Sequence, residues 1–465
     1  MSRVAPTPAT GFDFDIETLI VGAGACGLVA ALAAHEEGQM VLAVEADPAP
    51  SGSTALSAGL VPAAGTRFQR DAGIDDTHDL FAADIQKKAK NENDPALVAA
   101  LAQGAAPAVE WLADRFSLPF SLVDDFDYPG HSRRRMHGLP TRSGRELIDR
   151  LRSACEAAGI DIVCGRRATT LFHDGDRVTG IEATLPDGTT ERIGCGRLVL
   201  ACSGFGGNRA MVAEHMPHII DAVWFGHDGN QGDAVLWGQG LNAATAQMGA
   251  YQGHGNVAHP HGILITWAVI TAGGVQVNAR GERFWDESQG YSEAARAVLA
   301  QPDGYAWAVF DTRIASIARQ FADFKDAEAQ GAIRTADTLA ELADMMGVPS
   351  GALTETLDAI PADGTDAFGR PFSGAPLAPP YCAVKVTAAL FHTQGGLAVD
   401  PATARVKRRD GRLFPNLFAA GGAAVGVSGS GDSGYLSGNG LLGAVVLGRI
   451  AGMARRSKSG VDRNV

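Results

Sequence analysis

The sequence lacks a CxxC pair, a CxxCH haem-attachment motif and any metal-type spacing among its six cysteines, Cys26, Cys155, Cys164, Cys195, Cys202 and Cys382. By motif this excludes a dithiol redox centre, a covalently held haem and a metal site, and it predicts reduced, mostly buried thiols. Positive charge is scarce: 39 Lys and Arg face 52 Asp and Glu, for a formal net charge of −13. Neither nucleic acid nor an anionic membrane surface is therefore expected as the main partner, and a small molecule is. No run approaches the roughly 20 uninterrupted apolar residues of a membrane span, and "MSRVAPTPATGFDFDIETLI" has no basic stretch leading into an apolar one. A cytoplasmic chain without a membrane span is expected.

What is abundant is glycine, 58 of 465 residues, in a chain whose 46% apolar content can fill one large core or two. The glycines cluster. "TLIVGAGACGLVAALAAHEEGQMVLAVEAD" reads as an apolar strand, a turn through Gly22, Gly24 and Gly27, an Ala/Leu-rich helix and a second strand ending at Glu45. Such a βαβ unit brings backbone N–H groups to a pyrophosphate at the helix N-terminus and places the acidic residue on ribose hydroxyls. NAD and FAD share the unit. The polar loop "ADPAPSGSTALSAGL", with Ser53, Thr54, Ser57 and Gly59, suits a long cofactor and favours FAD. Two later strand-and-glycine segments are expected to return to the same sheet: "GRLVLACSGFGGN" with Ser203 and Gly204, and "LFPNLFAAGGAAVG" with Gly421 and Gly422. The following "SGNGLLGAVVLGRIAG", with Gly438, Asn439 and Leu441, predicts a helix whose N-terminus stabilises negative charge on a reduced flavin. No second GxGxxG unit and no redox cysteine pair is visible, so direct NADH use is not expected and an external electron acceptor or donor of unknown identity is.

Residues 253–392 differ in texture, with histidines, aromatics and mixed helices such as "TADTLAELADMM". The expected fold is α/β: a Rossmann-like FAD-binding domain formed by residues 1–252 and 393–465, with an inserted α+β substrate (capping) domain at 253–392.

The order of motifs resembles the flavoprotein superfamily of soluble fumarate reductases and 3-ketosteroid dehydrogenases over about residues 15–455. The residues that carry the resemblance are "VGAGACGLVAALAA", "SGSTALSAG", "LACSGFGGN", "GNQGDAVLWGQGLNAA", "AHPHG", "VNARGERFWDES", "FHTQGGLAVDP" and "GNGLLGAVVLGRIAG". "SGSTALSAG" holds no counterpart of the histidine that binds flavin covalently in membrane-bound succinate dehydrogenases, which implies non-covalent FAD. The resemblance implies that His259 and His392 help to hold substrate. It also exposes departures: the arginine, glutamate and arginine of the fumarate reductase proton relay fall on Ile270, Trp267 and Tyr291, and a further carboxylate-binding arginine falls on Tyr435. A dicarboxylate deprived of those arginines would leave buried charge poorly paired, at several kcal/mol.

"DESQGY" instead looks like the stretch of 3-ketosteroid dehydrogenases that ends in a catalytic tyrosine, and Tyr435 with Gly438 resembles their ketone-binding pair. The leading expectation is α,β-desaturation of a cyclic or steroid-like ketone, or the reverse enone reduction. In it, Tyr291 moves the proton, Tyr435 polarises the carbonyl, and Gly438, Tyr251 and Arg135 contact substrate. Packing roles for both tyrosines, and a solvated face for the run Arg133, Arg134, Arg135 and Arg142, stand beside it. The alternative function is a fumarate reductase-like dehydrogenase or reductase of a carboxylic acid, using His259, His392 and that arginine run. The missing covalent histidine generates a direct test: acid precipitation of the yellow protein should release FAD into the supernatant, and flavin retained in the pellet would refute the non-covalent assignment.

Overall fold

The computed structural model describes residues 3–124 and 127–454; the tail of the expected last segment, 455–465, lies outside the described residues. The chain separates into two compact units, Met1–His215 with Gly226–Tyr251 and His392–Val465, and Met216–Phe225 with Gln252–Phe391. The ten-residue excursion Met216–Phe225 departs from the expected continuous first segment. Its strand Val223–Trp224 pairs in parallel with Ala389 and Leu390, so hydrogen bonding ties it to the second unit.

The elements that position the functional residues are, in chain order, β1 (Phe14–Val21), α1 (Ala25–Glu36), β2 (Val41–Val44), α2 (Pro95–Phe116), β3 (Thr190–Leu200), β4 (Tyr251–Ala258), α3 (Tyr291–Leu299), β5 (Tyr381–Thr393), β6 (Leu413–Ala419) and α4 (Asn439–Met453).

In the first unit β1 and β2 pair in parallel from Thr18↔Val41 to Val21↔Val44. β3 lies on the other side of β1, with Leu200 opposite Val21, and β6 follows β3 with Ala419 opposite Leu200. These four strands belong to one nine-stranded sheet and end at one edge, the place where open parallel sheets bind ligands. The strand ends are buried and apolar on both faces, as a helix-covered parallel sheet requires. α1 is buried almost all round, which explains its unbroken Ala/Leu/Val composition. The turn into α1 runs through Gly22 at φ +103°, where a Cβ would stand 2.5 Å from the Ala201 carbonyl oxygen. No L side chain fits there.

α2 is the one helix among the described residues that is long and apolar enough to cross a membrane by length and composition, at 22 residues. Asp94 caps it and Pro95 opens it. Leu97, Val98, Leu101, Ala105, Ala108, Val109 and Leu112 bury one face in the main core, which accounts for its apolarity.

α1 and α4 pack with almost no side chain between them. A Cβ on Gly448 would lie 2.7 Å from the Cys26 carbonyl oxygen, and one on Gly452 would lie 2.4 Å from that of Ala30. Two helices far apart in sequence thus lie backbone to backbone.

The second unit is built on a seven-stranded sheet in which β5 is flanked by β4 and by Tyr305–Asp311. Its carboxylates and guanidinia are tied inward: buried Glu287 pairs with both Arg283 and Arg370, and Arg283 also holds Asp366. Arg370 further donates to the carbonyls of Ile270 at 2.7 Å and Gly274 at 2.9 Å. This network fixes the segment that leads into α3, and therefore the position of Tyr291 at the first turn of that helix.

Gly448→Ala should destabilise the protein by about 1–3 kcal/mol, because the added methyl must force two helix backbones apart. Thermal or urea unfolding would show it, and an unchanged midpoint would contradict the close helix contact.

Candidate active site

The start of α1 is prepared for an anion. Its N-cap Gly24 supplies no side-chain hydrogen bond, and the Ala25 N–H donates to Thr54 Oγ1 at 3.1 Å. At the end of β2, Glu45 accepts from the N–H of Ala23 at 2.7 Å and of Asp47 at 3.0 Å, which places its carboxylate beside the glycine turn. The polar loop is held from two directions. Asn230 donates to Ser53 Oγ at 2.8 Å, and His227 Nε2 lies 2.7 Å from an Asp47 carboxylate oxygen. Ser57 works within the loop, donating to the Thr54 carbonyl and accepting from Gly59 N–H, so these two residues shape the cradle.

Gly421 lies against both helices: its Cβ position is 3.0 Å from Cys26 Cβ at the start of α1 and 3.6 Å from Ala444 Cα in the second turn of α4. A Cβ built on Gly422 would lie 2.9 Å from the backbone N of Gly204, next to Ser203. α4 begins after Gly438 and, like α1, has no side-chain cap, while Leu441 packs on the main core. Two uncapped helix N-termini, a glycine-lined meeting point and an acidic residue at a strand end fit a dinucleotide such as FAD.

Two predicted residues of the first unit come together at the start of α4. The rings of His392, near the end of β5, and Tyr435 meet edge to face with centroids 5.5 Å apart. A Cβ built on Gly440 would lie 3.0 Å from His392 Nε2 and 3.8 Å from the Tyr435 hydroxyl, so both groups stand over the first turn of the helix. Burial pushes the Tyr435 phenol up from its ordinary value, against hydrogen bonds from the backbone of Gly440 and Gly438 that pull it down. Burial holds the His392 imidazole down at about 4, partly offset by its contact with the Thr393 carbonyl. At neutral pH the pair is an uncharged imidazole and a protonated phenol whose oxygen faces helix N–H groups.

The second unit holds a separate aromatic cluster. Phe225, Phe391, His254 and Tyr291 form a run of near-parallel rings, with successive centroids 4.9, 5.3 and 5.0 Å apart and interplanar angles of 17°, 16° and 17°. Trp267 presents its edge to His254 at 5.7 Å and to Tyr291 at 6.4 Å. Burial lowers His254 to about 3, and its Nδ1 accepts from the Asn256 N–H at 3.1 Å, which leaves the proton on Nε2. Next to Tyr291, Ser292 Oγ accepts from Gly253 N–H at 2.9 Å. Tyr291 and Trp267 are thus neighbours, as their shared departure from the relay pattern suggests.

Three expected site residues stand elsewhere. His259 follows β4 and packs on Tyr305 at 4.3 Å, with Lys385 on the same tyrosine at 4.1 Å. Five residues of extended chain beyond His254 is roughly 17 Å along the strand, so it is His254, not His259, that joins the rings around Tyr291. Arg135 is fully buried: it binds Asp76 through Nε at 2.9 Å and Asp84 through Nη1 at 2.6 Å, and stacks on Phe81. A guanidinium so committed has no free donor face for a substrate, and removing it would strand two carboxylates. Its use is structural. His131 Nδ1 lies 3.4 Å from Arg135 Nη1 while His131 Nε2 contacts the Ser437 carbonyl at 3.0 Å, which braces the start of α4. Tyr251 has no accessible surface. Arg133 and Arg134 are exposed and bonded locally, as a solvated face requires. His254 was readable as a histidine in "AYQGHGN", but only strand geometry separates it from His259.

A family described as FAD binding domain matches residues 17–441. The chain belongs to this flavoprotein family. It is an FAD-dependent oxidoreductase of the fumarate reductase type. The flavoprotein is similar to Ifc3 of Shewanella frigidimarina, named a probable fumarate reductase, at 34% identity over 97% of this chain and 76% of that one. It is 30% identical to the NADH:fumarate oxidoreductase of Klebsiella pneumoniae over 94% of its own length, but spans only about half, 47%, of that protein. A 3-oxosteroid 1-dehydrogenase of Mycobacterium tuberculosis matches at 30% identity over 62% of this chain and 58% of that one. Among solved structures, the open conformation of a flavocytochrome c3 fumarate reductase superposes with a TM-score of 0.81 at 33% identity, covering 96% of this chain and 78% of the other.

The buried histidines set the acid response. In the unfolded chain an imidazole takes a proton near pH 6.5, whereas folded His131, His137 and His392 take one only near 4 and His254 near 3. Between those values the unfolded state binds more protons, so stability falls as pH drops from about 6.5 towards 4. Melting temperatures at pH 7.5 and 5 should differ in that direction; equal values would contradict neutral burial.

Proposed function

We propose that this flavoprotein introduces a double bond beside the carbonyl of a cyclic or steroid-like ketone, or in reverse reduces the enone, with FAD held non-covalently. The observation that carries the proposal is the convergence of the Tyr435 hydroxyl and His392 Nε2, both uncharged, over Gly440 at the first turn of α4. A substrate carbonyl accepts hydrogen bonds from such donors, and the helix N-terminus favours the negative charge that grows on its oxygen. The Tyr435 oxygen receives backbone hydrogen bonds from Gly440 and Gly438, so its own proton is the one to offer. When bound, FAD would supply the acceptor for the β-hydride. Tyr291, as phenolate, takes the α-proton and becomes the phenol: the α C–H bond breaks towards its oxygen as the carbonyl pulls electron density, and the C=C bond forms as the β C–H bond gives up its electron pair with the hydride. Donor and base must act together, since a ketone α-proton is too weakly acidic for a phenolate otherwise. Trp267 and the rings stacked on Tyr291 give it apolar neighbours that suit a neutral substrate.

The carboxylic acid reading is favoured by the fumarate reductases among the relatives. Against it stand the neutral state of His392 and His254 and the internal commitment of Arg135, which leave a buried carboxylate weakly matched. The electron partner is external. The six free cysteines support a reducing, cytoplasmic setting.

Under anaerobic conditions a cyclic ketone should bleach the flavin, or an enone reoxidise it, faster than a dicarboxylate does. Tyr291→Phe should slow that step about 10²–10⁴-fold and Tyr435→Phe about 10²–10³-fold, with FAD still bound. Near wild-type rates for both variants on the ketone, together with turnover of fumarate, would overturn the ketone reading in favour of the acid.

A further inference from the structure

His392 is useful as a donor only if its proton sits on Nε2, and the first unit contains a means of keeping it there. Asn439 Nδ2 donates to Ser428 Oγ at 3.1 Å, Ser428 Oγ donates to Gln394 Oε1 at 2.9 Å, and Gln394 Nε2 lies 3.3 Å from His392 Nδ1. Asn439, Ser428 and Gln394 are all buried, so no bulk water relaxes the pattern. A hydroxyl has one proton and an NH₂ group can only donate. With Asn439 donating to Ser428, the hydroxyl proton goes to Gln394 Oε1, because a Gln394 amide turned the other way would leave that buried proton no acceptor in the chain, and the Gln394 NH₂ then faces Nδ1. Nδ1 is left as an acceptor.

The polarity of this chain has an anchor. Reversing it would turn the Asn439 amide round. In the observed direction the orphan is Asn439 Oδ1, a buried acceptor without a hydrogen-bond partner among the described residues, at the first residue of α4. After reversal the orphan would be an NH₂ group, and unpaired buried donors are rarer than under-satisfied carbonyl oxygens. The N-terminus of a helix also favours a partial negative charge over a positive one. Competing with the chain is the Thr393 carbonyl, 3.3 Å from the same Nδ1, which would suit the opposite tautomer.

We propose that Asn439, Ser428 and Gln394 form a one-way hydrogen-bond chain that holds neutral His392 as its Nε2–H tautomer, making it a fixed donor beside the Tyr435 hydroxyl. The three are positioning residues acting through His392. The tautomer follows from the chain alone; only its use on a substrate carbonyl rests on the ketone reading.

The test is the imidazole ¹⁵N spectrum of FAD-loaded, histidine-labelled protein at neutral pH without substrate, with His392 assigned by its loss in His392→Asn. The wild type should show a pyrrole-type Nε2 and a pyridine-type Nδ1. In Gln394→Met the Thr393 carbonyl remains as the acceptor and the proton should move to Nδ1, while Ser428→Ala, a smaller change that frees the amide to turn, should show a mixture. The Gln394→Met protein should also reduce its flavin with a ketone at least tenfold more slowly. A wild-type Nδ1–H signal, or Nε2–H persisting unmixed in both variants, overturns the proposal. The expected tautomers combined with no reaction of any ketone would uphold the chain and remove the ketone reading instead.

Discussion

The contact on which the first unit depends is the backbone-to-backbone packing of α1 and α4. Gly448 and Gly452 remove the side chains that would otherwise separate the helices, and the axes approach until the Cys26 and Ala30 carbonyls touch the facing glycines. Because α1 is fixed by the sheet, α4 is fixed with it, and its second turn, at Ala444, is delivered beside Gly421, which Cys26 at the start of α1 also approaches. One helix start has N–H groups that suit a pyrophosphate; the other sits under Tyr435 and His392. A change in the glycine contact would therefore move the donors relative to the cofactor cradle without touching either.

Charge is distributed by the same economy of position. The buried guanidinia of Arg135, Arg283 and Arg370 are tied to Asp76, Asp84, Glu287 and Asp366 and brace loops that lead into α4 or α3. The groups aimed over the first turn of α4 are neutral by burial. A buried neutral donor loses little on desolvation and keeps its strength in a low-dielectric setting, whereas an unpaired buried charge costs several kcal/mol. Ion pairs hold the scaffold, and dipoles face the chemistry.

Much of this is legible in the sequence because it depends on short-range pattern. The βαβ turn and Glu45 at a strand end follow from spacing, whereas His392 and Tyr435 enter only as what the family resemblance implies. What the sequence hides depends on three-dimensional register. His254 and His259 are five residues apart and equally polar, yet one joins the Tyr291 stack and the other packs on Tyr305. Arg135 looks available within a basic run until the side chains of Asp76 and Asp84 are seen around it. The Gln394 chain links residues 34 and 11 positions apart, and its direction is set by a single orphan oxygen at a helix start.

The excursion Met216–Phe225 changes what the second unit is as an object. Its strand completes one side of β5, and its last residue, Phe225, stacks on Phe391 and so ends the column of rings that runs to Tyr291. A recombinant fragment covering only residues 252–391 would have an open strand position beside Ala389 and Leu390 and an uncovered phenylalanine face, both invitations to self-association. The unit is sewn into the chain by two separate threads, and anyone transplanting it into another flavoprotein must carry both.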